Sequence, residues 1–175
     1  MVQHKCFYQN LNIAFLHFIT RVLFSLTQIF GKFPFVVAIS DINNDTIYEC
    51  LTAKRAWFDK DAKKGEYIWL LRGHHNNPKK TIAFYVADGS SPDTFLYTEG
   101  SDDAKPEVGT FHYTDYETCA VMETPYQGKK CILWASEARK DSLPQKCLDE
   151  FSKHCGVGPP LYSKDICKGE EVANW

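Results

Sequence analysis

The sequence carries almost no net charge: 20 lysines and arginines stand against 22 aspartates and glutamates, a formal balance of −2. That excludes a broad basic footprint for nucleic acid. It contains no Cys-x-x-Cys pair, which removes the zinc ribbon and the thioredoxin-like site. It has no Gly-x-Ser-x-Gly nucleophile elbow, so the usual hydrolase turn is missing. There is no phosphate-binding glycine loop, no readable metal cage and no carboxylate pair at a catalytic spacing. An enzyme, a cofactor and a metal centre are therefore not expected. His74 and His75 are adjacent at a polar turn, where one ion cannot easily use both, and they read as solvated.

What is present points elsewhere. The chain has 175 residues, enough for one domain with a sizeable core. Aromatic residues make up 14%, which suits a wide core or a cavity lined by rings. Seven cysteines are many for a cytosolic protein and fit an oxidising compartment. Asn44-Asp45-Thr46 is a glycosylation sequon. The stretch from Leu11 to Phe30 is apolar, interrupted by His17 and Arg21. Residues 1–31 are set apart as an atypical leader or N-terminal segment, and no membrane span is expected in the mature protein. Cys6 falls in that segment and is expected to have no partner in the mature fold.

From residue 32 the chain reads as short β-prone runs separated by turn residues. Strands are expected at 32–40, 46–58, 66–73, 80–87, 94–98, 109–113, 117–123 and 130–135. Eight hairpin-connected strands suit an up-and-down barrel or a sandwich, and the pattern alone leaves both open. An acidic loop is expected at 99–108. One helix is expected at 142–155, with Ser142 as its cap, Pro144 in the first turn and Gly156 just past its end. Cys147 and Cys155 lie two turns apart, about 12 Å along its axis, so they cannot bond to each other. Each must reach another element.

The stretch from Thr114 to Cys167 holds five of the cysteines. It reads T-D-Y-x-x-C-A-V, then C-x-L-W, then P-x-x-C-x-x-x-F-x-x-x-C-G, then Y-x-x-x-x-C. This resembles the tick salivary lipocalins of the histamine-binding-protein family, over roughly residues 47 to 167. The resemblance implies a mainly β fold: an eight-stranded antiparallel up-and-down barrel, residues 32–175, with the helix packed outside and a disulfide-tethered tail. It implies Cys50 with Cys167 and Cys119 with Cys147, which leaves Cys131 with Cys155. It further implies a secreted, extracellular protein, expected as a monomer, that sequesters a small hydrophobic or amine host mediator and so evades host defence. A second expectation is an inhibitor acting on a host protein, such as a complement or signalling component, through its loops.

Side chains alternate faces along a strand. With Cys119 and Cys131 facing the helix, the expected inward residues are Thr118, Ala120 and Met122 on one strand and Ile132 and Trp134 on the next. Trp69 is a further candidate, with Tyr67, Phe84 and Phe95, their facing left open. Amine-binding members of the resembled family carry an acid after the first of these cysteines and another two residues before the aromatic. The matching residues here are Ala120 and Ile132, so both acids are missing and only Trp134 is kept. An apolar pocket favouring a lipid-like ligand is expected. Histamine or serotonin would need other acids, such as Glu66, Asp93 or Glu117 at the barrel mouth.

Overall fold

The computed structural model describes residues 26–170. Eight antiparallel strands follow one another around a closed barrel. They are β1 (Phe35–Asp41), β2 (Thr52–Asp59), β3 (Lys64–Leu71), β4 (Lys80–Asp88), β5 (Thr94–Glu99), β6 (Glu107–Thr114), β7 (Cys119–Thr124) and β8 (Lys130–Ser136). Closure is made by β1 against β8, from Val36 opposite Ser136 to Asp41 opposite Ile132. This settles the choice between barrel and sandwich: among the described strands no edge is left to cover.

Two helices complete the described fold, α1 (Leu26–Lys32) and α2 (Gln145–Cys155). α1 closes one end of the barrel. Its Phe30 ring lies 5.0 Å from Tyr67 and 5.9 Å from Phe111 between centroids. The Tyr67 hydroxyl donates to the Phe33 carbonyl at 2.7 Å, and Arg55 donates to the Phe30 carbonyl. Leu26, Ile29 and Phe30 are all buried. A boundary at residue 31 therefore cuts through a helix that packs into the barrel. Cys6 and the other residues up to 25 lie outside the described residues.

α2 packs on the outer wall. Cys119, Val121, Cys131 and Leu133 face outward and form a second cluster with Cys147 and Phe151 of α2. That is why every residue of β8 from Lys130 to Ala135 is buried: one face meets the interior and the other meets the helix. The disulfides are Cys50–Cys167, Cys119–Cys147 and Cys131–Cys155, with Cα separations of 5.6, 6.3 and 5.8 Å. Among the described residues, no helix is long and apolar enough to cross a membrane.

Three local expectations are corrected. The run 46–58 is not one strand: Thr46–Tyr48 forms a 3-10 turn whose N–H of Ile47 donates to the Asp45 carboxylate at 3.2 Å. Cys50 then adopts a left-handed φ of 59°, and β2 begins only at Thr52. Ser142 does not cap α2; Pro144 stands at the cap position and offers no side-chain bond. Glu107 and Val108, read as loop, open β6. Gly109 on that strand is required: a Cβ there would collide with the Phe95 ring.

Asp115 organises the β6–β7 turn. Its Oδ1 accepts from the N–H groups of Glu117, Thr118 and Cys119 at 3.0, 2.7 and 3.1 Å, and Thr118 Oγ1 donates to Oδ2. Burial works to raise this carboxyl, but the hydrogen bonds from Thr118, Glu117 and Cys119 outweigh it and hold it below its ordinary value. Asp115→Ala should lower stability by about 1–2 kcal/mol, the cost of a lost cap of this kind. A depressed carboxyl contributes stability above its unfolded-state value, and the contribution is lost as pH falls through the folded value. Urea melts should therefore show the gap between wild type and variant closing in acid. A gap that is constant with pH would count against the capping role.

Candidate functional site

The barrel interior is built from alternate side chains, and the register decides which rings meet. Trp69 on β3 contacts Trp134 on β8 at 5.3 Å and Phe84 on β4 at 4.6 Å between centroids. Tyr126, in the β7–β8 turn, lies edge-on to Phe84 at 5.1 Å. Between these rings and α1 is a cavity of about 70 Å³, counted as space open to the centre of a water molecule. One water needs roughly 10–15 Å³ on this measure, so a compact small molecule fits. The wall is almost wholly apolar, and among the described residues no carboxylate lines it.

The expected ligand residues divide. Trp134, Trp69, Ala120 and Met122 line the cavity together, as do Tyr67, Phe84 and Phe95. Ile132 is fully buried in the surrounding core but is not part of the cavity wall. Thr118 does not face inward. Its hydroxyl lies on Asp115 and 3.6 Å from the Cys147 sulfur, because the turn pulls it out of the strand alternation that begins at Cys119. Trp134 Nε1 is buried without a hydrogen-bond partner among the described residues. Such a donor costs about 1–3 kcal/mol unless water or a ligand acceptor meets it.

The three acids expected at the mouth do not reach the cavity. Glu66 alternates with inward-facing Tyr67 and lies beside Tyr85 on the outer face. Asp93 accepts from the Ser91 hydroxyl at 2.6 Å in an exposed turn. Glu117 is exposed. Two other acids come close instead. The Tyr97 hydroxyl donates to Glu107 at 3.0 Å, and Glu99 lies near the Tyr126 hydroxyl and acts on it electrostatically. Both tyrosines line the cavity. Burial, reinforced by Glu99, pushes the Tyr126 hydroxyl up to about 12. Burial and Glu107 raise that of Tyr97 as well. Both therefore stay protonated, and Tyr97 donates to Glu107.

These acids were missed because 99–108 read as a loop. The register puts Tyr97 directly opposite Glu107, and adjacent partners share a face. The signal was the alternation Phe95, Tyr97, Glu99, which continues an inward face onto an acid. The segment between β1 and β2 folds over the same end. Its Tyr48 is buried and donates to Gln127 at 3.1 Å, and Gln127 donates to the Tyr126 hydroxyl at 3.1 Å.

The sequence profile of the tick histamine binding protein matches residues 28–168. No curated protein matches the chain by sequence. Among solved structures, AM182 in its serotonin complex is similar with a TM-score of 0.55 at 16% identity, covering 77% of this chain and 85% of that one. Lobster apocrustacyanin A1 is similar with a TM-score of 0.51 at 13% identity, covering 73% and 72%. At such identities the likeness shows the fold alone, which is that of a lipocalin. The profile match spans most of the sequence, and with it the chain belongs to the tick histamine-binding protein family.

Proposed function

We propose that this chain is a secreted salivary lipocalin that holds a small host mediator in its barrel, and that the preferred ligand is apolar and lipid-like. The observation that carries this is a ring-lined cavity with no carboxylate on its wall among the described residues. An ammonium beside Ala120 would be buried unpaired, at a cost of several kcal/mol. Trp134 could return about 1–2 kcal/mol through a cation–π contact. An apolar ligand instead gains roughly 25 cal/mol for each Å² it buries. The cavity volume favours a compact molecule or a short chain. Removal of the mediator from the host would serve evasion of host defence. Three disulfides and the exposed sequon residue Asn44 support an extracellular protein, glycosylated at Asn44 and acting as a monomer.

A second reading has an observation of its own. Glu107 and Glu99 stand at the tyrosine end of the cavity, where an ammonium could be met while an aromatic ring lies inside. AM182, a protein of the same fold, is found in a serotonin complex. Titration calorimetry with histamine, serotonin and a short-chain fatty acid separates the readings. Saturable fatty-acid binding with no heat from either amine is expected. Submicromolar amine binding that disappears in Glu99→Gln with Glu107→Gln would replace the first reading by the second. Submicromolar amine binding that survives those changes would overturn both. Absence of all three would favour an inhibitor acting on a host protein through its loops.

A further inference from the structure

We propose a second site, outside the barrel, for a divalent transition-metal ion such as zinc, held between β6–β7 and α2 by His112, Glu123, His154 and Glu150. The two imidazoles come from different elements and face each other with ring centroids 5.1 Å apart. Each already lies on a carboxylate through Nε2: His112 on Glu123 at 3.1 Å and His154 on Glu150 at 3.3 Å. The two histidine–carboxylate pairs adjoin through these rings, although the donor atoms of α2 do not yet converge with those of His112 and Glu123.

His112 faces outward by alternation with Phe111 and stands at a break in the ladder. Thr110 pairs with Glu123 and Phe111 with Met122, but Tyr113 pairs with Val121, so the register shifts at His112. A bulge of this kind re-aims a side chain and disrupts pairing. Phe111 lines the interior, while His112 meets the helix. α2 is fixed to the wall by Cys119–Cys147 and Cys131–Cys155. The second of these bonds adjoins His154 in sequence, and the Cys131 sulfur lies within 4.8 Å of the His112 and Glu123 donor atoms. The spacing of the two histidines is therefore set by covalent bonds and carries little entropic cost.

The chemistry follows from the donor set. The cysteine sulfurs of the described residues are committed to disulfides, so none of them supplies a thiolate. Imidazole with carboxylate suits zinc, copper or nickel better than calcium or magnesium. Tetrahedral ligation by two imidazoles at 2.0–2.1 Å puts ring centroids roughly 5 Å apart, the separation already present. The rings are nearly parallel, at 12°. A χ2 rotation of the partly exposed His154 is needed for both Nε2 atoms to reach one ion. The ion must also displace three ammonium groups: Lys129 on Glu123 at 3.2 Å, and Lys153 and Lys146 on Glu150 at 3.2 and 3.8 Å. All three lysine side chains are exposed, and surface pairs of this kind are weak.

The test is calorimetric titration of the oxidised full chain with zinc chloride in chelator-free buffer. One ion per chain is expected. His112→Gln and His154→Gln should each weaken binding by about tenfold or more, and Lys129→Ala should tighten it. His74→Gln with His75→Gln should change nothing. No saturable binding in wild-type protein, or binding unchanged in the His112→Gln, His154→Gln double variant, would overturn the proposal. A readout free of substitutions is the broadening of histidine ring resonances by nickel. It should strike His112 and His154 first, and broadening that strikes His74 and His75 first would also overturn the site.

Discussion

Replacing Cys50 and Cys167 together by alanine should destabilise the protein by about 5 kcal/mol, more than removing either of the other disulfides. In the chain-entropy model the effect grows with the loop closed. This bond joins residues separated by 117 positions, against 28 and 24 for the other two. The same relation gives about 3.5 kcal/mol for each shorter loop. The native side is also affected, because the bond ties the tail to the segment over the barrel mouth. Cys50 N–H donates to the Leu161 carbonyl at 2.8 Å, and Leu161 N–H donates to the Ile39 carbonyl at 2.8 Å. Leu161 is buried. Equilibrium urea denaturation of the three double-alanine variants would check the order. A loss below about 1 kcal/mol for the long loop would show that the unfolded chain is already compact, and the entropic account would fail.

Ile132→Glu should be the most damaging single substitution in the barrel, while Ala120→Asp should be tolerated and should bring amine binding. Both return a carboxylate to a position where amine-binding members of the resembled family carry one. The two sites differ in what surrounds them. Ile132 is fully buried within the core and has no space beside it. An unpaired carboxylate there costs several kcal/mol, and the group would be driven to its neutral form. Ala120 lines the cavity and pairs across the sheet with Trp134. A carboxylate there has room for water when unliganded and stands beside the ring that an aromatic amine would meet. A charged hydrogen bond contributes about 1.5–3 kcal/mol, so serotonin affinity should rise by roughly tenfold or more. Thermal melts and calorimetry on the two variants give the result. A stable Ile132→Glu protein, or an Ala120→Asp protein indifferent to amines, would mean that the cavity extends differently from the structure described.

The sequence by itself determined the number of strands, their order and the position of the outer helix, and its resemblance to a family implied the three cysteine pairs. It did so because those features repeat locally: turn residues bound each strand, and the cysteines sit in a pattern shared with a family. It also determined that Ala120, Met122 and Trp134 share an interior face, since alternation holds wherever a strand is regular. What it could not decide arises where alternation breaks. The Asp115 turn takes Thr118 out of the face that Ala120 occupies, and Asp45 with the left-handed Cys50 delays β2 to Thr52. Cross-strand register brings Glu107 onto Tyr97, although the two are separated in the sequence by an acidic loop. Only closure of the barrel brings Phe30 of α1 against Tyr67 and Phe111 and so makes α1 the floor of a cavity. The first two are local turns in which an aspartate side chain overrides the strand period, and the last two share another physical reason. Periodicity is a property of neighbours along the chain, whereas register, bulges and plugs are set by contacts between residues far apart in it, and only packing selects those.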